Sequence, residues 1–405
     1  MKRVIFHVDV NSAFLSWEAC YRIHHLGGKQ DLRKMVSAVG GDQEKRHGII
    51  LAKSIPAKKF HIQTGETVVS AKEKCPDLTL VPPNYDLYNK SSKALIKLLS
   101  EYTDKIEQYS IDEAFLDMTG CCDDSERTAH EIKDRVHAQL GFTVNIGVSE
   151  NKLLAKMASD FMKPDRVHTL WKSEIQTKMW PLPVSELFYV GHASLNKLRK
   201  LGIHTIGELA ATDPGILQAH MKSQGLLIWQ YANGIDETAV IDTPPLAKGY
   251  GNSLTTPQDV TEPGIAKQYL LSLSETIAAR LRADSVKIGV VSISLRDWDL
   301  RFYGHQITLS VPTDLTMEIY HAACQCLSEL WDGTPLRHLG IHTSSVTTDQ
   351  YRQMQLFDTV DYEKAKRMEK TVDRIRKKYG MDSIKRACFL PSAGNMEMDH
   401  MAGGI

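Results

Sequence analysis

The stretch HVDVNSAFLSWEA, residues 7–19, decides how the rest of the chain is interpreted. It continues an apolar run that begins at Val4, which predicts a buried β-strand, and small residues then lead into a helix. Asp9 interrupts the strand. Because an ionised carboxylate is costly to bury without a partner, Asp9 indicates either a strand end that faces solvent or a site that needs a negative charge.

A second strand carries the same anomaly about a hundred residues later. EQYSIDEAFLDMTG, residues 107–120, is predicted to be one strand that places the adjacent Asp112 and Glu113 among apolar residues. Neighbouring residues of a regular strand point to opposite faces, so a bend or a strand end is needed to aim both carboxylates at one site. A single acid favours a solvent-facing strand end, whereas two such strands favour a shared site.

A cluster of carboxylates has a definite chemical requirement. Three of them repel one another and raise each other's pKa values unless a divalent cation neutralises them. Oxygen ligands suit Mg²⁺ or Mn²⁺, and two ions about 3.5–4 Å apart stabilise the attacking and leaving oxygens of a phosphoryl transfer. The sequence therefore predicts that Asp9, Asp112 and Glu113 hold two Mg²⁺ ions, which Mn²⁺ can replace.

The rest of the chain predicts a multidomain α+β protein. Its 405 residues, 42% of them hydrophobic, are enough for two to four domains. Between about residues 83 and 170, strands and helices alternate, which predicts a sheet covered by helices on one face. Residues 171–236 are predicted to be helical, and later strands surround helices at about 263–283 and 313–331. The Pro- and Gly-rich run 244–260 is interpreted as a linker that runs into another domain.

Charge and cysteine content exclude several classes of protein. Lys and Arg number 49 and Asp and Glu also 49, so a nucleic-acid-binding surface must come from local clusters. The seven cysteines include no CxxC pair, which argues against a zinc or redox site. The N-terminal apolar run is too short for a signal segment, and no segment reaches the length of a membrane span. We expect a soluble, cytoplasmic monomer without a membrane partner.

Three motifs, HVDVNSAF, YSIDEAFLD and NKLLAKMASDFMKPD, resemble in sequence and order the Y-family DNA polymerases, the translesion enzymes of the polymerase IV type. The likeness runs from residue 1 to about 350. It implies a right-hand polymerase with a ferredoxin-like palm, small fingers, a helical thumb and an α/β little finger, which extends a primer 3′ end with low fidelity. The implied domains are palm 1–17 and 83–170, fingers 18–82, thumb 171–236 with a helix-hairpin-helix, linker 237–248, little finger 249–349, and a clamp-binding peptide with a helical tail 350–405.

The resemblance also implies how the metal ions are held. Asp9 and Asp112 would bridge both ions, Glu113 would bind the ion on the primer side, and the carbonyl of Val10 would bind the ion on the nucleotide side. Asn11 stands where the family often has a further acid. Because that acid is not one of the three metal-binding carboxylates, the difference leaves the predicted metal site complete.

Four further residues are implied to bind the incoming nucleotide. Phe14 falls where the family keeps an aromatic steric gate, a ring that excludes the 2′-hydroxyl of a ribonucleotide, and the alternative is an ordinary core residue of the helix. Lys163 matches a ligand of the triphosphate. Ile55 and Lys58 stand where the family usually offers a tyrosine and an arginine to the triphosphate, so a hydroxyl and a bidentate fork are missing here.

The predicted DNA contacts lie in the thumb and the little finger. Residues 188–210 resemble a helix-hairpin-helix, whose backbone N–H groups hold a phosphate, although Tyr189 replaces the first of two glycines. Lys152 and Lys156 are expected to line the DNA side or to face solvent. The residues expected to contact the DNA backbone are Gly191, Lys197, Arg199, Arg296 and Arg301.

QMQLF, residues 353–357, fits the peptide with which bacterial polymerases bind the sliding clamp. Leu356 and Phe357 would enter a hydrophobic pocket, and Gln353 would fix the register through hydrogen bonds. The basic segment that follows is predicted to be a helix. Its basic face is compatible with contact to DNA, with contact to a partner, or with plain solvation.

Two other functions are compatible with parts of the sequence. A catalytically weak relative that binds DNA and the clamp is indicated by Ile55 and Lys58, but the presence of all three carboxylates opposes it. A nucleotidyl cyclase shares the two-metal chemistry but has no use for a thumb hairpin, a little finger or a clamp peptide. The leading hypothesis is a template-directed DNA polymerase that acts on primed DNA and deoxynucleoside triphosphates.

Overall fold

The computed structural model describes residues 2–41, 48–243, 245–349 and 361–389. These form two compact units, the first comprising the described residues up to 243 and the second those from 245 onward. No helix among the described residues is both long and apolar enough to cross a membrane.

The first unit contains a mixed α/β part followed by helices. Its first half contains β1 (Ile5–Val10), α1 (Ala13–His24), β2 (Ser37–Gly40), β3 (Ile50–Lys53), α2 (Ile55–Lys58), α3 (Val68–Lys74), β4 (Thr79–Val81) and α4 (Tyr85–Leu99). The chain continues through β5 (Ile106–Gln108), β6 (Glu113–Asp117), α5 (Ser125–Leu140), β7 (Val144–Ser149), α6 (Lys152–Asp160) and β8 (Val167–Thr169). The unit ends with α7 (His192–Lys200), α8 (Ile206–Ala211), α9 (Pro214–Met221) and α10 (Ser223–Ala232).

The principal sheet of this unit has the strand order β5–β6–β1–β7–β8. The central strand, β1, is buried along its whole length and runs antiparallel to both neighbours. Phe6 and Val8 pack in a core with residues of α1, α4 and α5, whereas Ile5 packs with Ala155 of α6. Because alternate residues of a strand point to opposite faces, helices cover both faces of the sheet. The expectation of helices on one face only was wrong.

Gly147 explains how α6 approaches the second face so closely. A Cβ built on Gly147 in β7 would lie 1.9 Å from the carbonyl oxygen of Ala155. Only a residue without a side chain allows this helix to lie directly on the strand.

The predicted single strand at 107–120 is in fact two strands joined by a tight turn. β5 ends at Gln108 and β6 begins at Glu113. Ser110 explains the break, because its Oγ accepts hydrogen bonds from the backbone N–H groups of Asp112 (3.3 Å) and Glu113 (3.1 Å). Such a side-chain bond offers the backbone an alternative to the ladder of a sheet. The turn supplies the bend that the two adjacent carboxylates require.

The predicted fingers and the predicted thumb complete the first unit. In the predicted fingers, β2 pairs antiparallel with β3 and parallel with β4. The predicted thumb has its own apolar core, which extends to α6 and includes Leu198, Ile206, Leu209, Leu217 and Ile228.

The second unit consists of an antiparallel sheet, two helices that cover it and a C-terminal helix. Its elements are β9 (Gly251–Val260), α11 (Pro263–Ala283), β10 (Lys287–Asp297), β11 (Phe302–Thr313), α12 (Thr316–Leu330), β12 (Leu336–Thr347) and α13 (Tyr362–Tyr379). The strand order is β11–β10–β12–β9. Apolar residues of β10 and β12 face α11 and α12 in one core, among them Val291, Ile293, Ile341, Ile277 and Ile319.

The later part of the run 244–260, which was expected to lead from a linker into another domain, is a strand of the second unit. β9 pairs with β12 from Gly251 to Val260, and its Leu254 is buried in the core. Pro257 is tolerated in this strand because proline is confined to edge strands and bulges, and β9 is an edge strand.

The C-terminal helix belongs to the second unit and is held there by buried charges. Arg282 of α11, whose side chain is 5% exposed, forms ion pairs with Glu369 and, at 2.7 Å, with Asp373, both on α13. Arg376 and Arg386 both bind Glu275 of α11.

We expect Arg282→Met to lower the free energy of unfolding of the second unit by about 3–5 kcal/mol, because it leaves two acids without their buried partner. Urea denaturation measures the change. Arg301→Met is the matched control, since Arg301 is 71% exposed and Asp299 is its one ion-pair partner among the described residues. It is expected to cost less than about 1 kcal/mol. Equal losses in the two variants would contradict the proposed anchoring.

Candidate active site

The three predicted carboxylates lie together at one end of the central strand. Asp9 on β1 is directly opposite Glu113 on β6. Asp112 precedes β6 in the turn, and its backbone carbonyl accepts a hydrogen bond of 3.1 Å from the N–H of Val10. Asp9, Val10, Asp112 and Glu113 all line one cavity of about 930 Å³. The pairing of two strands thus brings together acids that are far apart in sequence.

Lysines form ion pairs with two of these acids. The Lys163 ammonium donates to Asp9 at 2.6 Å, and the Lys156 ammonium donates to Glu113 at 2.7 Å. Within the described parts of the chain, no group of three or more His, Cys, Asp or Glu residues is arranged to hold a metal ion. A cation bound by Asp9 and Glu113 would therefore take over the neutralisation that the two lysines supply here.

Lys156 and Lys152 do not have the surroundings expected for them. Lys156 is buried and paired with Glu113, and the Lys152 ammonium lies 2.7 Å from both carboxylate oxygens of Glu107. The expectation that they face solvent was wrong, because the sequence does not reveal acidic partners on distant strands. Their expected position on the DNA side stays a prediction.

The two paired acids have opposite pKa shifts. Burial raises the pKa of Asp9 to about 6, although Lys163 opposes the shift. Burial also acts to raise the pKa of Glu113, but the neighbouring His7 and Lys156 outweigh it and bring the value to about 2. The positive charge near Asp9 is thus too small to offset its burial, which is the situation that a bound cation corrects.

His7 supports Glu113 from within the sheet. The ring is fully buried, its Nδ1 lies 2.8 Å from Ser159 Oγ, and its Nε2 lies 3.5 Å from Glu113 Oε2. His7 is not among the site residues predicted from the sequence. A signal was present, since His7 and Asp9 are two positions apart and so share one face of the strand.

Phe14 lies on α1 and lines the same cavity as the carboxylates. Its ring stacks on Tyr88 with centroids 4.5 Å apart and planes 15° apart. Tyr88 is buried, and its hydroxyl donates to Glu18 at 3.3 Å. A flat, supported ring at the cavity wall is the arrangement that a steric gate requires. Tyr88 was missed because it lies on α4, remote in sequence.

The predicted triphosphate ligands line this cavity too. Ile55 and Lys58, on the short helix α2, are both exposed. Lys163 lies beyond the end of α6 and also contacts Asp160 at 2.8 Å. Lys53 of β3 is a fourth lining residue, which the sequence analysis missed, and burial followed by the charge of Lys58 lowers the pKa of its ammonium.

Asn11 has a structural task in place of the acid that the family often has there. Its side chain donates to Asn145 Oδ1 at 3.1 Å and accepts hydrogen bonds from Thr143 Oγ1 and from the backbone N–H of Asp165, both at 2.9 Å. These bonds connect the end of β1 to the loop that carries Lys163.

The predicted DNA contacts of the thumb lie at opposite ends of α7. Gly191 is the N-cap of α7, and Tyr189 before it has φ 72°, the left-handed conformation that favours glycine. Lys197 and Arg199 are exposed in the last turn of the same helix, at its opposite end.

In the second unit, Arg296 lies on the open face of the sheet. Val291, Ile293 and Leu295 of β10 face the core, so Arg296 faces the other way, where its guanidinium lies 5.3 Å from the centre of the Phe302 ring. Arg301 lies outside the strands, between β10 and β11, and forms a 2.9 Å ion pair with Asp299. The predicted clamp residues Gln353, Leu356 and Phe357 lie outside the described residues.

Comparisons with known proteins decide the family. A model described as the impB/mucB/samB family matches residues 8–160, and the model of its C-terminal domain matches residues 247–356. The protein named DNA polymerase IV of Clostridium acetobutylicum is 44% identical over 96% of this chain and 99% of its own length. The chain belongs to this family of DNA polymerases.

Further relatives agree with this assignment. The DNA polymerase IV of Acetivibrio thermocellus is 37% identical over 97% of this chain and 99% of its own length. A solved Y-family DNA polymerase chimera, 20% identical, has the same fold, with a TM-score of 0.73 over 85% of this chain and 100% of the chimera. The identification and the right-hand polymerase fold that the sequence predicted are confirmed. The predicted function, translesion synthesis by a DNA-directed DNA polymerase, is confirmed as well, and the catalytically weak alternative is not favoured.

Proposed function

We propose that Asp9, Asp112 and Glu113 hold the divalent ions with which this translesion polymerase adds deoxynucleotides to a primer 3′ end. The observation that carries the proposal is the single cavity that the three carboxylates share with Phe14 and Lys163. The acids suit metal ions, the aromatic ring can lie against a sugar, and the lysine can pair with a triphosphate.

The donor set fits Mg²⁺. The three carboxylates and the carbonyl of Val10 supply only oxygen atoms, which are the ligands that Mg²⁺ prefers. When bound, two such ions stabilise the attacking and leaving oxygens of the phosphoryl group. Asp9 contributes a buried carboxylate that is short of positive charge, and Ser110 orients Asp112 by donating to its Oδ1 at 2.6 Å.

The remaining lining residues position the nucleotide. Lys53, Lys58 and Lys163 place three ammonium groups around the cavity, where they attract a triphosphate. Lysine ammonium groups lack the bidentate geometry of an arginine guanidinium, so the orientation of the triphosphate depends more on the metal ligands. Phe14, supported by Tyr88, limits the room beneath the sugar.

DNA would be held through its backbone. In the thumb, no described side chain caps the N-terminus of α7 at Gly191, so its first N–H groups can hold a phosphate, as helix N-termini commonly do. In the little finger, Arg296 and small polar residues such as Ser292 and Ser294 form an open face that suits contacts independent of sequence. We take the protein to act as a monomer in the cytoplasm, where bacterial DNA lies.

Residues 353–357 are proposed to bind the sliding clamp, and the support is the QMQLF sequence. We expect the double variant Leu356→Ala, Phe357→Ala to lose the stimulation of synthesis by a loaded clamp, because it lacks the two apolar side chains proposed to enter the hydrophobic pocket. Primer extension with and without clamp measures it. Met354→Ala, which leaves the motif residues intact, is the control. Full stimulation of the double variant would place clamp binding elsewhere.

Primer extension on an undamaged primed template tests the proposed chemistry. Extension is expected with Mg²⁺, is expected to stop when a chelator removes the ion, and should return when Mg²⁺ or Mn²⁺ is added in excess. No extension with either ion, despite normal binding of the DNA, would contradict the proposed function.

A further inference from the structure

The C-terminal helix α13 separates its charges by face. Toward the second unit it directs Glu369, Asp373 and Arg376, which pair with Arg282 and Glu275 of α11, and Lys366, which lies 3.6 Å from Asp314. Away from the unit it exposes one acid, Glu363, and six cations: Lys364, Arg367, Lys370, Arg374, Lys377 and Lys378.

The structure describes no acidic partner for these six cations. Within the described residues, none of the six forms an ion pair, and Arg367 and Arg374 reach only the carbonyl of Glu363 and the hydroxyl of Thr371. Like charges three and four positions apart destabilise a helix on its own. The whole chain has a formal net charge of zero, so the cluster is a local concentration of charge.

The array is rigid and extended. From Lys364 to Lys378 the helix rises about 21 Å at 1.5 Å per residue. At about 100° per residue the six cations fall within half of the helix circumference. The six cations have a mean spacing of about 4.2 Å along the helix. Each strand of duplex DNA carries one charge per about 3.4 Å along its axis, so the two charge densities are of the same order.

We propose that the outward face of α13 binds the phosphate backbone of duplex DNA without reading its sequence. The choice of partner rests on the proposed polymerase function, because that function supplies the polyanion that the protein must hold, and it does not depend on the metal centre. Duplex fits better than a single strand because a fixed array of cations matches a stiff polyanion of high charge density. The buried anchors of the helix keep the array in place on the DNA-binding domain.

The test is a variant of the full chain with Arg367→Gln, Lys370→Gln and Arg374→Gln. The matched control carries Lys90→Gln, Lys93→Gln and Lys97→Gln, which remove three exposed lysines at the same spacing from α4. Fluorescence anisotropy with a labelled duplex measures Kd across a range of salt concentrations. We expect the α13 variant to raise Kd on the order of tenfold at low salt and to reduce the slope of log Kd against log salt by about 2–3, whereas the control matches wild type.

The outcomes separate the alternatives. Unchanged affinity and salt dependence in the α13 variant would overturn the proposal, as expected if this face binds an acidic protein instead. A loss on a single strand that exceeds the loss on the duplex would also overturn it. Binding is measured without nucleotide or metal ion, so a failure of primer extension by wild type would contradict the proposed function and leave this result interpretable.

Discussion

Asp112→Asn is expected to slow primer extension by a factor of about 10³ or more and to leave the affinity for primed DNA unchanged. The substitution keeps the shape of the side chain and its contact with Ser110 but removes the negative charge. Charge stabilisation by metal ions supplies several kcal/mol in phosphoryl transfer, and about 1.4 kcal/mol corresponds to a tenfold change in rate. Single-turnover incorporation of one nucleotide measures the loss.

Asp134→Asn is the matched control for that variant. Asp134 is an exposed aspartate of α5 that pairs with Lys133 and does not line the cavity. It should extend primers at the wild-type rate. A similar loss in both variants, or a loss of DNA binding in Asp112→Asn, would count against a metal-binding role for Asp112.

Phe14→Ala is expected to admit ribonucleotides, with a fall of about 10² in the preference for deoxynucleotides. The ring of Phe14 occupies the cavity wall and is supported from behind by Tyr88, so its removal opens room for a 2′-hydroxyl. The ratio of kcat/KM for a matched deoxynucleotide and ribonucleotide measures the change. Phe60→Ala removes an exposed ring that does not line the cavity and is the control. Unchanged sugar discrimination in Phe14→Ala would mean that this ring is an ordinary helix residue.

The carboxylate site was predictable because its signals are local. A charge inside an apolar strand is visible in a short window, and two such windows were enough to suggest a shared site. The structure places Asp9 directly opposite Glu113 on paired strands, in agreement with the suggested shared site. The turn at Ser110 was not predicted, because a side chain that accepts from its own backbone leaves the apolar pattern of the strand intact.

The supporting residues were not predictable from local patterns. Lys156, His7 and Tyr88 act through contacts with residues that are distant in sequence, so their own neighbourhoods reveal only a lysine, a strand histidine and a helix tyrosine. The same holds for α13. Its helical period was evident, but Glu369 and Asp373 resemble ordinary surface charges until the position of Arg282 is known.

The number of Mn²⁺ ions bound by the protein tests the metal centre most directly. Electron paramagnetic resonance counts them in the complex with a chain-terminated primer, its template and the next deoxynucleotide, with the nucleotide alone as the reference. We predict two ions per chain for wild type and a loss of bound ions in Asp112→Asn, since that carboxylate is a proposed ligand of both. Equal binding by wild type and variant, or no ions beyond those held by the nucleotide, would contradict the account.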